Sequence, residues 1–190
     1  MPNVTPTFHH LNLRVFFLGH AKQVLLIDPN TDCIKKIGPL FHGEYKWLRS
    51  VQTSEGIVYG LPCHADSVLR IDTNTGDITT FGSESFDTEI GRLWKYHGGS
   101  ISPHDGCIYC IPQSAERVLK IDPRSDTVSL VGPSFPGRHK WYGGLIGKAD
   151  GAIYGIPQNA TGILKIDPSS DNVVTLHGNF ELGGHKWVSG

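Results

Sequence analysis

The sequence predicts an all-β chain built as a β-propeller, with about four four-stranded antiparallel blades of roughly 45 residues each. Three observations carry this. One phrase recurs: "KYHGGSISPHDGCIYCIPQSAERVLKIDP" starts at Lys95 and "KWYGGLIGKADGAIYGIPQNATGILKIDP" at Lys140. Its apolar residues come in short alternating runs broken by Gly, Pro and Asp, and no apolar period of 3.6 is long enough for a helix. Four short strands in about 45 residues is the size of one blade, which cannot bury both faces without neighbours.

The copies are counted from fixed points. Asp closes the "IDP"-like phrase at Asp28, Asp72, Asp122 and Asp167, giving steps of 44, 50 and 45. Gly follows at Gly38, Gly82, Gly132 and Gly178, then Phe at Phe41, Phe86, Phe135 and Phe180. A lysine and an aromatic come next: Lys46-Trp47, Lys95-Tyr96, Lys140-Trp141 and Lys186-Trp187. The interval from Gly82 to Lys95 is 13 residues where the others are 8, so "SESFDTEIGRLWK" carries five extra residues, and Trp94 is assigned to that insertion.

Within one copy the first strand follows Lys-aromatic, as in "KWYGGLIG". Its glycines suit the strand nearest the axis, where blades crowd. "ADG" or "HDG" turns the chain. The second strand, "AIYGIP", ends on Pro, which cannot extend a ladder. The third, "GILKID", alternates, and "DPSSD" or "DPRSD" is a turn with Pro where φ is pre-set. The fourth is "NVVTLHG". The expected organisation is a single domain over 1–190. It has an N-terminal extension at 1–11 and repeats at about 12–45, 46–94, 95–139 and 140–185. The first copy lacks its leading strand, and "KWVSG" at 186–190 is expected to supply it and close the ring. A fragment of a larger propeller, or half of an eight-bladed dimer, is the alternative.

The phrase "DGxIYGIPxxAxxVLxIDPxTD" followed by "KWxGG" resembles propeller-type repeats of algal and protist proteins. More loosely it is similar to kelch-like, NHL-like and gluconolactonase-like propellers. The resemblance covers roughly residues 12–190. It implies the fold, and it brings no catalytic residues to carry over, because propellers host binding modules and enzymes alike.

Composition narrows the function. A formal net charge of −1 offers no basic excess for a nucleic-acid partner. No apolar run approaches the roughly 18–20 residues of a membrane span. The start "MPNVTPTFHHLNLRVFFLGH" has no basic segment leading into an apolar one, so it is a poor signal peptide. Cys33, Cys63, Cys107 and Cys110 do not recur at one repeat position. Cys107 and Cys110 lie three apart in a strand and point to opposite faces, so they read as free thiols in a reducing, intracellular setting. The sequons at Asn3 and Asn159 matter only in a secretory compartment.

Catalytic motifs fail on spacing. "GGLIGKAD" leaves three residues between Gly143 and Gly147 where a phosphate loop needs four, and Ala149 follows Lys148. "DTNTGD" places Gly76 fifth rather than sixth in a calcium loop. No nucleophile elbow, zinc helix or dinucleotide fingerprint is present. The repeated aspartates read as turn formers.

What remains is a face shared by the loops after "IP" and the segments entering Lys-aromatic. It collects His20, His64, Gln113, Gln158 and Asn159, with His139 and His185. The candidate ligand-binding residues are Lys46, Trp47, Lys95, Tyr96, Lys140, Trp141, Lys186, Trp187, His64, Gln113 and Gln158, since amides, cations and aromatics together bind sugars, anions or peptides. The alternative use of the repeated aromatic and lysine is packing between blades. Trp94 is the candidate partner contact. The expected function is a non-enzymatic binding or scaffold propeller, engaging a protein partner or larger complex. A lectin-like propeller taking a small sugar or anion is the second reading, and a metal-dependent hydrolase or lyase the third. No enzyme activity, metal or cofactor is expected.

Overall fold

The computed structural model describes residues 14–16, 20–86, 92–170 and 174–187. Alternating runs bounded by turn residues form antiparallel strands throughout. The first sheet is β1 (Arg14–Phe16), β2 (Val24–Asp28) and β3 (Cys33–Ile37). The second is β4 (Trp47–Gln52), β5 (Ile57–Pro62), β6 (Val68–Asp72) and β7 (Ile78–Phe81). The third is β8 (Tyr96–Ile101), β9 (Ile108–Pro112), β10 (Val118–Asp122) and β11 (Thr127–Val131). The fourth is β12 (Trp141–Ile146), β13 (Ile153–Pro157), β14 (Ile163–Ile166) and β15 (Val174–His177). Each strand pairs with its neighbour in sequence, and one turn of 3₁₀ helix at Ser83–Phe86 follows β7. The chain is therefore an all-β propeller of four blades. The expected closing strand, 186–190, runs into residues outside those described; Lys186 and Trp187 lie in no strand. The extension 1–11 is also outside the described residues.

The aspartates of the "IDP" phrase set the turns. Asp28, Asp72, Asp122 and Asp167 each accept, through Oδ1, the backbone N–H two residues on, at 2.9 to 3.1 Å. This is the local bond by which Asp competes with ladder pairing and turns a chain.

The cores lie between blades, not within them. Blades one and two meet through Val24, Ile37 and Phe41 on one side and Trp47, Leu69 and Ile71 on the other. Blades two and three meet through Tyr59, Leu61 and Val68 against Tyr96, Leu119 and Ile121. Blades three and four repeat this with Tyr109, Ile111 and Val118 against Trp141, Leu164 and Ile166. Cys107 belongs to the last core and Cys110 to the one before, as strand alternation requires. All four cysteines are free.

Two glycine positions fix the spacing. A Cβ on Gly98 would collide with the Gly143 carbonyl, and one on Gly144 would fall 2.9 Å from Gly99 N. The innermost strands of blades three and four thus touch backbone to backbone, each bulged at its glycine pair. At the outer end, Gly38, Gly82 and Gly132 have φ of 76°, 79° and 78° and abut Ile78, Val128 and Val174 of the next blade.

Gly132→Ala is expected to destabilise the chain about 1–3 kcal/mol more than Gly106→Ala, measured by urea unfolding. Both positions have positive φ, but a Cβ at 132 would fall 2.6 Å from Val174, while one at 106 meets nothing within 4 Å.

Candidate functional site

The lysine–aromatic unit fastens blade to blade. Lys46, Lys95 and Lys140 are buried, and Lys95 is 0% exposed. Lys95 Nζ donates to the His64 and Arg92 carbonyls and to Asp66 Oδ1 at 2.7 Å. Lys140 Nζ donates to the Gln113, Ala115 and Gly137 carbonyls, and Lys46 Nζ to those of Ala21 and Gly43. Backbone bonds run alongside, from Lys95 N to Cys63 O and from Lys140 N to Gln113 O. Trp47, Tyr96 and Trp141 are buried, with the indole N–H of Trp47 on Ser67 O and that of Trp141 on Gly162 O. Phe41 and Phe135 meet Trp47 and Trp141 edge-on at 5.0 and 5.2 Å. These six residues therefore form joints inside the protein rather than the lining of an open face. The fourth unit differs: Lys186 Nζ bonds the Glu181 and Gly183 carbonyls, and Trp187 is 47% exposed.

The sequence reading named Trp94, His139 and His185 but missed Tyr45, and missed that the residue before each lysine is one repeat position. Tyr45, Trp94, His139 and His185 all take left-handed backbone, with φ of 46°, 57°, 52° and 45°. The carbonyls of Tyr45, Trp94 and His139 accept the backbone N–H of His64, Ser114 and Asn159. Trp94 is therefore a regular member of the repeat. Its assignment to the insertion is corrected: the extra residues all precede it. The signal was present in the constant offset from lysine, but the differing residue types hid it.

Two clusters grow from this position. In the first, Tyr45 and Trp94 stack at 5.0 Å, and His64 meets them edge-on at 5.4 and 4.8 Å. His20 packs on Tyr45 and lies 3.4 Å from Glu44. In the second, Gln113 Nε2 lies 3.1 Å from His139 Nδ1 and donates to Tyr142 Oη at 3.0 Å. Tyr142 packs on His97 at 4.1 Å, Gln158 Nε2 approaches His185 Nδ1, and the His139 and His185 rings lie 6.4 Å apart.

Gln113 and Gln158 are 1% and 5% exposed. Their Oε1 atoms, with His97 Nδ1 and His64 Nε2, have no hydrogen-bond partner among the described residues. Burial, and then the Arg49 charge, hold His97 below the ordinary histidine range. Burial and the Lys95 charge do the same to His64. Both rings are thus held toward the neutral form, in which one nitrogen can accept a proton. Among the described residues, no group of three or more His, Cys, Asp or Glu is placed to hold a metal ion. Among them, too, no helix is long and apolar enough to cross a membrane.

No family model matches the chain, and no curated protein matches its sequence. Solved structures do. A streptogramin B lyase structure aligns at TM-score 0.64 and 15% identity, over 87% of this chain and 51% of that one. A catalytically inactive variant of virginiamycin B lyase from Staphylococcus aureus, with quinupristin, aligns at 0.62 and 18%, over 83% and 49%. A functionally unknown protein from Desulfotomaculum acetoxidans aligns at 0.61 and 15%, over 89% and 51%. The chain spans about half the length of these structures, and the likeness is one of fold. It corrects the expectation that the chain is not an enzyme, because this blade arrangement is one that lyases use.

Lys95→Met keeps the volume but strips three acceptors of their donor, one of them charged, and is expected to cost about 3 kcal/mol in urea unfolding. His97 has a folded pKa below its unfolded value of 6.5, so protonation favours the unfolded chain. Stability is therefore full above pH 6.5 and falls as pH drops through the folded pKa. The His97→Phe variant is expected to flatten that fall, checked by thermal unfolding across the acid range.

Proposed function

We propose that the chain is a ligand-binding propeller unit whose histidine–amide–aromatic face takes a small polar molecule bearing hydroxyl or amide groups. The observation that carries this is the pair of buried glutamines, Gln113 and Gln158, each with its amide nitrogen on a histidine and its oxygen uncommitted among the described residues. Such an oxygen accepts a ligand N–H or O–H at little further desolvation cost. Tyr and Trp in left-handed backbone are uncommon, and such residues cluster at functional sites. Tyr45 and Trp94 have that conformation and supply the aromatic surface. The loose similarity of the repeat phrase to kelch-like and NHL-like propellers supports the fold side of this reading. The scaffold reading, with a protein partner, draws its support from exposed apolar side chains elsewhere.

The test is an NMR titration of the labelled chain with methyl glycosides and N-acetyl dipeptides. The side-chain amide signals of Gln113 and Gln158 are expected to shift, and Gln113→Leu is expected to remove the response while leaving the remaining spectrum in place. A full panel at millimolar concentration that leaves both amides unmoved would sink the proposal.

A second reading is favoured by His97. In an elimination an unprotonated base takes the proton from one carbon, the C–H electron pair forms a carbon–carbon double bond, and the bond from the adjacent carbon to the leaving group breaks, the group departing with that electron pair. His97 is held toward that form and has Nδ1 uncommitted among the described residues. Conversion of quinupristin, followed by chromatography, is expected with the parent chain and absent with His97→Ala. Parent protein that leaves quinupristin intact removes this reading without touching the first.

A further inference from the structure

The loop leaving blade two reaches forward to blade three with a cation. Arg92 Nη2 lies 3.1 Å from Glu116 Oε1, and Arg92 Nη1 donates to the Ser114 carbonyl at 3.2 Å. Both acceptors stand on the loop between β9 and β10. Ser134 Oγ donates to the other Glu116 oxygen at 2.8 Å. At this joint the chain answers its own guanidinium with a carboxylate.

The next joint keeps the cation and omits the acid. Six residues before the turn aspartates Asp72, Asp122 and Asp167 stand Asp66, Glu116 and Thr161. Asp66 pairs with Lys95 and Glu116 with Arg92, but blade four has a threonine at this place. Arg138, on the loop leaving blade three, has no hydrogen bond or ion pair among the described residues. A cleft of about 390 Å³ opens here. Phe135, Trp141 and Leu176 line it with apolar surface, and Arg138, Asn159 and Thr161 with polar atoms. Asn159 Oδ1 accepts the His185 N–H, so its amide nitrogen, a donor, is unengaged among the described residues. Every wall belongs to blades three and four or to the loops leaving them. The loop leaving blade four is tied to its own blade by Phe180 N on Thr161 O and Gly183 N on Asn159 O. The volume falls in the small-molecule range of roughly 300–1,000 Å³.

We propose that this cleft binds a small monocarboxylate with an apolar body, its carboxylate on Arg138 and its hydrocarbon against Phe135, Trp141 and Leu176. The occupant follows from charge and from the preceding joint. Where the chain supplies Glu116, the arginine is paired from within. Where it supplies Thr161, a carboxylate from outside makes the same pair. The planar guanidinium matches two carboxylate oxygens at once. Apolar walls lower the local dielectric and strengthen that pair beyond one on an open surface. The same walls disfavour a ligand that is polar all round, because they strip its hydration without replacing it. The cleft shares no side chain with the histidine–amide face, so this goes beyond the ligand-binding reading and does not rest on it.

The experiment is isothermal titration calorimetry of the parent chain with phenylacetate, indoleacetate and octanoate, each against its neutral amide. At least one acid is expected to bind at a single site, about tenfold more tightly than its amide, as a hydrogen bond to a charged group requires. Arg138→Gln is expected to weaken the acid by about the same factor and leave the amide unchanged. Thr161→Glu gives Arg138 a partner within the chain and is expected to weaken the acid likewise. Both positions are exposed, so the circular dichroism spectrum of each variant is expected to match the parent's. Acids that show no saturable binding up to millimolar concentration overturn the proposal. So does an amide that binds as tightly as its acid, or an acid whose affinity neither variant changes.

Discussion

The structure depends on a charged group placed where charge is costly. An ammonium inside a protein is tolerated only when its hydrogens are taken up by acceptors. Lys46, Lys95 and Lys140 meet that demand by crossing to the preceding blade and collecting its carbonyl oxygens. Each lysine also bonds the carbonyl three residues before it, but the remaining acceptors belong to the neighbour, so the cost of burial is fully offset only when two blades are in register. A blade shifted by one residue would strand the ammonium and move its apolar side chains to the wrong face. The lysine therefore holds the order of the blades, while the three apolar cores between the sheets supply most of the stabilisation.

Much of this was legible in the sequence because it is periodic. Asp28, Asp72, Asp122 and Asp167 mark turns, the Gly-Gly pairs mark crowding at the innermost strand, and Cys107 and Cys110 fall on opposite faces. The use of the lysines and aromatics was legible only as two alternatives, a binding face or packing between blades. A Lys-Trp pair has the same composition whether it lines a binding face or bridges two sheets, and only the position of the acceptors decides. Trp94 was misread for a related reason. Backbone conformation is common to Tyr45, Trp94, His139 and His185, yet no residue type is, so an eye matching letters finds no repeat there.

The candidate site is built from the same joints. The carbonyls of Gln113 and Ala115 hold Lys140 Nζ, and the Gln113 side chain meets His139 and Tyr142. The loop that locks one blade to the next thus also seats a buried amide against the histidine and tyrosine of the neighbouring blade. A group fixed from its backbone outward loses little freedom on binding, which favours affinity for small polar molecules. His97 is treated alike, with its ring pressed on Tyr142 across the blade boundary.

The left-handed position ahead of each lysine has a consequence for how such a protein can diversify. The fold dictates the torsion angles there and is indifferent to the side chain, as a tyrosine, a tryptophan and two histidines in one molecule demonstrate. Each blade thus offers a mount of fixed geometry on which chemistry can be exchanged without retuning the joints behind it. Descendants of one duplicated unit can then acquire different tastes one blade at a time, and a ring of near-identical parts can end up reading an asymmetric molecule.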